Sequence, residues 1–560
     1  MTDQNQKHKA TWTVMMYIAA NDMLANFAVQ SLRQLKRAAN QDVTVAAQFG
    51  ANARTNIPRY IFDGKAPDRD EVLSAFKKSG LNPGRSRSPI LEEALISVNK
   101  EDEIARGTNL ADPSMLRAFI DWAYKECWAE HYCLIVWGEG GELLLDDYVV
   151  PGAPAKRRNF LTPADLGKAL ADTQLRKENR KFDVVGIDAC CMSMVEVAYE
   201  LKDHADYLVA SQEEVPDFSF PYDTILTAFS EKIAKKEVTP GELCKEIPQL
   251  YSYAYQEYIL DRQTNMESIS LSSLSLKHVG VIAERVKQLT TVLLGLPAND
   301  EMRQLIIDAR AGCKGFLAGL YVDLCDFCEQ LRSQMVAQNI KDDDLAKACD
   351  ELCNAIQLHD ENACVIENQA PQNKHCHGLS IYFPYLTEPD KTAMESPLAP
   401  LVKGGMDVLN KGGIDVLNKG GMDVLNKVRR QRIGETESYY GSLAFSKETK
   451  WDEFIQQRWS RCLAEDAEQQ AKQSPPLDIS DLLDERYSAQ QCALNLLASN
   501  RKLEGKHKGL EPEFPRMDPP GPRPNSNPRG DGPETTSMTN GHAEPQRRQP
   551  STTDVLEPTG

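Results

Sequence analysis

The chain has 560 residues, 41% of them hydrophobic and 26% charged, the balance of an ordinary folded protein with a large core. Its net charge of −18 excludes a nucleic-acid-binding surface, which needs clustered lysine and arginine. Residues 1–11 are polar, without a signal-peptide core, and no run of eighteen apolar residues offers a membrane span.

In chain order, Thr13 to Ala19 (TVMMYIA) predicts a buried strand, and Met23 to Lys36 follows with helical spacing. Val43 to Phe49 predicts a second strand and Arg59 to Phe62 an edge strand. Asp112-Pro113, an N-cap followed by proline at the first helical position, opens a helix expected to reach Tyr124. Strands are expected at Tyr132 to Trp137, Phe182 to Ile187 and Tyr207 to Ala210, with a helix over Met192 to Lys202. The region from His278 to Leu358 reads as mostly amphipathic helix; strands return at Ala363 to Ile366 and Gly378 to Phe383.

Lys403 to Asn426 holds three copies of an octapeptide, KGGMDVLN, with Ile for Met in the second. Its period of eight fits neither helix nor heptad, so it reads as a duplicated segment in a surface loop. Trp451 to Leu463 is expected to be the last core helix, followed by amphipathic pieces at Leu477 to Leu483 and Ser488 to Leu503. From Glu511 the chain is rich in Pro, Gly, Ser and Asn and is expected to be disordered.

Strands alternating with helices predict an α/β fold with a mostly parallel sheet covered on both faces. The expected divisions are a core over 10–230, a second, helical part over 231–460 with the repeat loop at 403–427, a helical extension over 461–505, and a tail over 506–560. Fourteen cysteines lack the dense spacing of a disulfide framework, and several (Cys133, Cys364) sit in apolar runs as core residues, which suits a reducing, cytoplasmic setting.

In parallel sheets chemistry collects at the carboxyl ends of strands. Two segments stand there: Gly138-Glu139-Gly140-Gly141, whose glycines read equally as plain turn glycines or as a functional stretch, and Asp188-Ala189-Cys190-Cys191. Cys190 follows a strand and precedes a helix, a position that stabilises a thiolate. The plain alternative is an inert core cysteine, which is the expectation for Cys191.

Five ordered segments now carry a resemblance. Trp12-Thr13-Val14-Met15-Met16-Tyr17-Ile18-Ala19 with Asn21-Asp22, Leu134 to Gly141, Gly186 to Met192 with Val195 to Leu201, Ser211-Gln212-Glu213-Glu214 to Phe220-Pro221-Tyr222, and Gly378 to Pro384 resemble the clostripain family of cysteine peptidases. The resemblance covers roughly residues 10 to 460. It implies a caspase-like fold, a Cys/His dyad, and cleavage of polypeptides after arginine or lysine. It assigns Cys190 as nucleophile and Asp188 as the acid that reads a basic P1 side chain, a carboxylate facing an arginine fork. Asp188 read alone is equally a helix cap.

Asp217 is a second acidic candidate for the substrate pocket, and the glycines at 138 and 140 could present backbone N–H groups to an oxyanion. Lys156-Arg157-Arg158, between the two motifs, matches the place where family members are processed after a basic residue; the residues alone fit a solvated basic patch as well. No cofactor is required, calcium enters by resemblance only, and an activator or regulator is unknown.

The sequence departs from the family at one position. Glu139 stands where the catalytic histidine belongs, counted from Trp137. A free cysteine with pKa near 8.5 is only about 3% thiolate at pH 7. An ionised glutamate beside it would repel S⁻ and cannot form the ion pair that histidine supplies. His131 is about 26 Å back along its strand at ~3.3 Å per residue, and His204 about 20 Å from Cys190 at ~1.5 Å per residue. Two functional readings follow: an Arg/Lys endopeptidase acting through Cys190, or a catalytically inactive relative that binds or regulates. A third, a zinc site from Cys325-x-x-Cys328 with His375, Cys376 and His377, lacks a second Cys-x-x-Cys pair.

Overall fold

A computed structural model describes residues 8–20, 24–50, 56–65, 100–106, 108–141, 144–146, 160–216, 219–235, 239–262, 269–317, 319–357, 362–384 and 439–473. Asp217, Lys156, Arg157 and Arg158, the octapeptide repeat, the segments beyond Gln473 and the expected disordered tail lie outside the described residues.

The first strand shows why a sheet forms. In β1 (His8–Ala19), Trp12, Val14, Met16 and Ile18 enter one core, while Met15 and Tyr17 enter the other. Side chains alternate along a strand, so apolar residues at both parities mean burial on both faces. The same split recurs in β5 (Cys127–Gly141), with Cys133, Ile135 and Trp137 on one side and Tyr132, Leu134 and Val136 on the other.

Parallel pairing joins β9 (Ala205–Ala210), β8 (Phe182–Asp188), β5, β1 and β2 (Val43–Gly50) in that spatial order. Both margins are antiparallel: β10 (Leu271–Ser275) and β13 (Val365–Gln369) beyond β9, and β3 (Ile57–Phe62) and β4 (Lys100–Ile104) beyond β2. Strands from both halves of the chain thus share one sheet. The expected edge at Arg59 to Phe62 is covered. The exposed, charged β4 is the edge, and such charge blunts edge-to-edge pairing. Two short strands, β6 (Leu144–Asp146) and β7 (Phe160–Leu161), extend β5, and β11 (Gly315–Phe316), β12 (Tyr321–Asp323) and β14 (Ser380–Tyr382) form a separate small sheet.

Helices cover both faces. Ala25–Ala38, Tyr222–Ala234 and Pro240–Arg262 bury Leu32, Phe229 and Tyr251 against one. Pro113–Glu126, Val195–Leu201 and Val279–Gly295 bury Phe119, Leu201 and Val286 against the other. The predicted cap at Asp112 is present, accepting from the Ser114 N–H. The expected helical stretch after His278 also contains Asp300–Gly312, Leu324–Ala337 and Asp343–Ile356. No helix of the described residues is long and apolar enough to cross a membrane.

The last core element is not one regular helix. Lys450 adopts φ 59° between Ala444–Thr449 and Trp451–Glu453, and Phe454–Trp459 is π-helical before Ser460–Gln473. This irregular path lets two indoles reach one outgoing segment: Trp451 Nε1 donates to the Tyr382 carbonyl and Trp459 Nε1 to that of Pro384.

Candidate active site

β5 and β8 lie side by side, with Trp137 opposite Asp188 at the end of their ladder. Gly138 to Gly141 do not form the plain turn that is one of their two readings. Gly138 continues the ladder opposite Ala19, and Glu139, Gly140 and Gly141 pair with Asp146, Leu145 and Leu144. Gly140 is needed for contact: a Cβ there would stand 2.4 Å from the Cys190 carbonyl oxygen and 2.6 Å from its nitrogen. That close approach sets half-buried Glu139 next in chain to the residue packed on the Cys190 backbone.

Cys190 is buried, with 7% of its surface exposed. The expected helix from Met192 starts at Val195, so Cys190 stands five residues upstream of it. The dipole acts only within the first turn, and the helix-terminus argument for its thiolate is therefore corrected. The intervening loop is held from two sides. Cys191, at φ 56°, donates its N–H to the Glu213 carbonyl at 3.0 Å, and Ser193 donates to Ser211 at 2.8 Å. Ser193 Oγ reaches the Gly378 carbonyl at 2.7 Å, and Ser380 N returns to the Ser193 carbonyl at 2.9 Å.

Asp188 ends β8 and is buried. Its Oδ2 accepts from the Ser219 and Tyr222 hydroxyls and, at 3.2 Å, from the Phe220 N–H. Trp137 Nε1 donates to Ser219 Oγ at 2.7 Å, and the Tyr255 hydroxyl to the Ser219 carbonyl at 2.6 Å. Burial pushes the Asp188 carboxyl up to about 6 against the pull of those three donors. The helix-cap alternative fails, because the carboxylate anchors residues 219–222 and Met194 is the N-cap of the next helix.

The histidines have other attachments. His131 Nδ1 meets Asp183 at 2.7 Å and its ring stacks on Trp12, at the opposite end of the sheet from Asp188. His204 lies at that end too, its carbonyl accepting from Phe182 N. His375 Nδ1 lies 2.8 Å from Asp326, and His377 Nδ1 2.9 Å from Asp323. Burial pushes His377 down, but the Asp323 hydrogen bond and charge outweigh it and carry the ring up to about 9.

The proposed zinc set does not gather. His375 is held by Asp326, and Cys376 Sγ accepts from Asn373. Among the described residues, Asp323, Cys325 and His377 do bring ligand atoms within 4.8 Å of one another. Yet Asp323 already accepts from Asp326 N, His377 Nδ1, Gln212 Nε2 and His377 N, at 2.8 to 2.9 Å. Those four donors are what its two oxygens can take, so it acts as a cap and clamp. Burial pushes Cys133 and Cys364 up to about 12, in keeping with inert core thiols.

The site therefore gathers Cys190, Glu139, Gly140 and Asp188 from adjacent strand ends. Sequence reasoning missed Ser219, Tyr222 and Trp137 as the support of Asp188, and Gln212 as the link from Asp323 to Gly378. Their segments were visible as motifs, but nothing in them announced these partners.

Comparison with known proteins fits this geometry. The model of the clostripain family (peptidase C11) matches residues 16–459. Clostripain of Hathewaya histolytica is 25% identical over 248 residues, 40% of this chain and 43% of that protein, so the match spans less than half of that relative. Similar solved structures include an inactive zymogen C11 protease from Parabacteroides distasonis, 17% identical, with TM-score 0.48, covering 79% of this chain and 98% of that one. Another is a secreted C11 cysteine protease from Bacteroides thetaiotaomicron in complex with an irreversible peptide inhibitor, 16% identical, with TM-score 0.44, covering 68% and 95%. The chain belongs to the clostripain family (peptidase C11).

Proposed function

We propose that the chain engages polypeptides with arginine or lysine at P1, using Cys190 as nucleophile, and that Glu139 leaves it with strongly reduced turnover. The observation that supports this reading is the packing of Gly140 on the Cys190 backbone, which brings the end of β5 that carries Glu139 against the Cys190 loop. An ionised carboxylate near a thiolate disfavours its formation, whereas an imidazolium would favour it. Glu139 can accept a proton as a general base only after its own affinity for one rises.

The recognition side is supported by Asp188. Its three donors all take Oδ2, leaving Oδ1 as the atom a substrate guanidinium or ammonium would meet. Self-cleavage within Lys156-Arg157-Arg158 belongs to the same proposal. A second reading, a binding or regulatory protein without turnover, rests on the loss of the imidazole alone.

Hydrolysis of fluorogenic Arg, Lys and Asp peptides, with and without calcium, decides between them. The chain is assayed beside Cys190→Ala and Glu139→His. Cleavage after Arg or Lys by Glu139→His, with little by the parent, supports the proposal. Folded variants that are all silent would establish the binding-protein reading.

A further inference from the structure

The helices Leu324–Ala337 and Asp343–Ile356 pack on each other through four cysteines. Cys325 and Cys328 are one turn apart on the first, Cys349 and Cys353 one turn apart on the second. Cys353 Sγ lies 3.7 Å from the Cys325 carbonyl oxygen, and Cys325 Sγ 4.0 Å from that of Cys353. Those reciprocal contacts set the two residues face to face. Cys325, Cys328 and Cys349 are fully buried, and Cys353 is half-buried.

We propose that this seam is an oxidation site, at which Cys353 and Cys325 form a reversible disulfide joining the two helices. The geometry favours a pair over a metal ion, because the four sulfurs do not form a set lying within 4.8 Å of one another. With hydrogen peroxide as oxidant, the Cys353 thiolate attacks one peroxide oxygen, the O–O bond breaks, and a sulfenic acid and water result. The Cys325 sulfur then displaces the sulfenic hydroxyl, which takes up the Cys325 thiol proton and leaves as a second water as the S–S bond closes. Two thiols lose two hydrogens and one peroxide becomes two waters. The neighbouring thiols of Cys325 and Cys328 draw the Cys353 thiol below its ordinary range, and its partial exposure admits the oxidant.

The test treats the full chain with hydrogen peroxide, blocks remaining thiols by alkylation, and maps tryptic peptides without reduction. Residues 315–332, with Cys325 and Cys328, and 348–374, with Cys349, Cys353 and Cys364, fall in separate peptides, and fragmentation of the linked pair locates the bond within them. The expected product is their cross-link, lighter by two hydrogens and split by dithiothreitol. Cys325→Ala should abolish it and Cys328→Ala retain it, with circular dichroism confirming that each is folded. A link that survives Cys325→Ala, or oxidation of Cys353 without any link, overturns the proposal. So does Zn²⁺ binding by the reduced chain that blocks alkylation of all four cysteines.

Discussion

Cys190, the proposed nucleophile, and Asp188 beside it come from one strand end yet have opposite surroundings. Asp188 is set in a finished network of Ser219, Tyr222, Phe220 and Trp137, none of whose links depends on the position of the family histidine. Cys190, two residues on, has a well-anchored backbone, and the position that the family resemblance gives to histidine holds Glu139. Recognition and chemistry are therefore separable here. One substitution on β5 can disable turnover while every hydrogen bond of the Asp188 network persists.

The largest expected effect tests that separation directly. Glu139→His supplies the missing base and a cation for the thiolate, and general-base catalysis is typically worth about 10² to 10⁴ in rate. Hydrolysis of an Arg peptide should rise by that order, and Glu139→Gln, which removes charge without adding a base, should give far less. Equal rates in the two variants would mean that charge removal, not proton transfer, limits the reaction.

Next comes the support beneath the chemical half. Glu196, in the helix after Cys190, is fully buried; its Oε1 accepts from Tyr382 N and the Tyr440 hydroxyl, and its Oε2 has no hydrogen-bond partner among the described residues. Burial raises its pKa from 4.5 to about 7. The folded protein thus keeps a proton that the unfolded chain loses above pH 4.5, so this stabilisation is full below that value and is lost as pH rises through about 7. At 1.36 kcal/mol per pH unit over that interval, the loss is about 3 kcal/mol. Asp188 acts with the same sign over a lower window, up to about 6. Glu196→Gln should flatten the fall in urea midpoint between pH 5 and pH 8, and parallel profiles for variant and parent would refute the assignment.

A third variant probes recognition. Asp188→Asn keeps the shape and the acceptor oxygen but removes the charge. A hydrogen bond to a charged group contributes about 1.5–3 kcal/mol, so affinity for an Arg-terminated peptide inhibitor should fall by roughly 10- to 100-fold. An uncharged P1 analogue should bind variant and parent alike; equal losses for both would mark Asp188 as purely structural.

What could be read from sequence follows from the range of each interaction. β1 and β5 were legible because consecutive apolar residues leave no other solution than burial on both faces. β4, with Lys-Glu-Asp-Glu, and β10, with three serines in five residues, carry no such pattern. Buried Ser272 and Ser273 are satisfied by Asn368 and by the Cys244 carbonyl, which no local rule foretells. Helical spacing from Met192 was misleading because Ser193 is tied to Ser211 and Gly378, contacts that outweigh local propensity. At the site, Cys190 was legible from its place after a strand, and Asp188 and Glu139 from the resemblance to the clostripain family. Ser219 and Tyr222 bond Asp188 across 31 and 34 residues, and the thiol seam needs the register of two helices, so neither leaves a periodic trace.

The smallest effect separates the two adjacent cysteines. Cys191 holds a left-handed φ of 56° without being glycine, a strain of roughly 1 kcal/mol that glycine would relieve. Its side chain is buried, so removing it forfeits about 0.8 kcal/mol per methylene-sized group, and the two changes nearly cancel. Cys191→Gly should therefore unfold within about 1 kcal/mol of the parent, whereas Cys191→Val, β-branched at positive φ, should be clearly less stable. In the Glu139→His background, Cys191→Gly should retain Arg-peptide hydrolysis and Cys190→Ala abolish it. The reverse result would move the nucleophile one residue along the chain and the whole reading of the strand end with it.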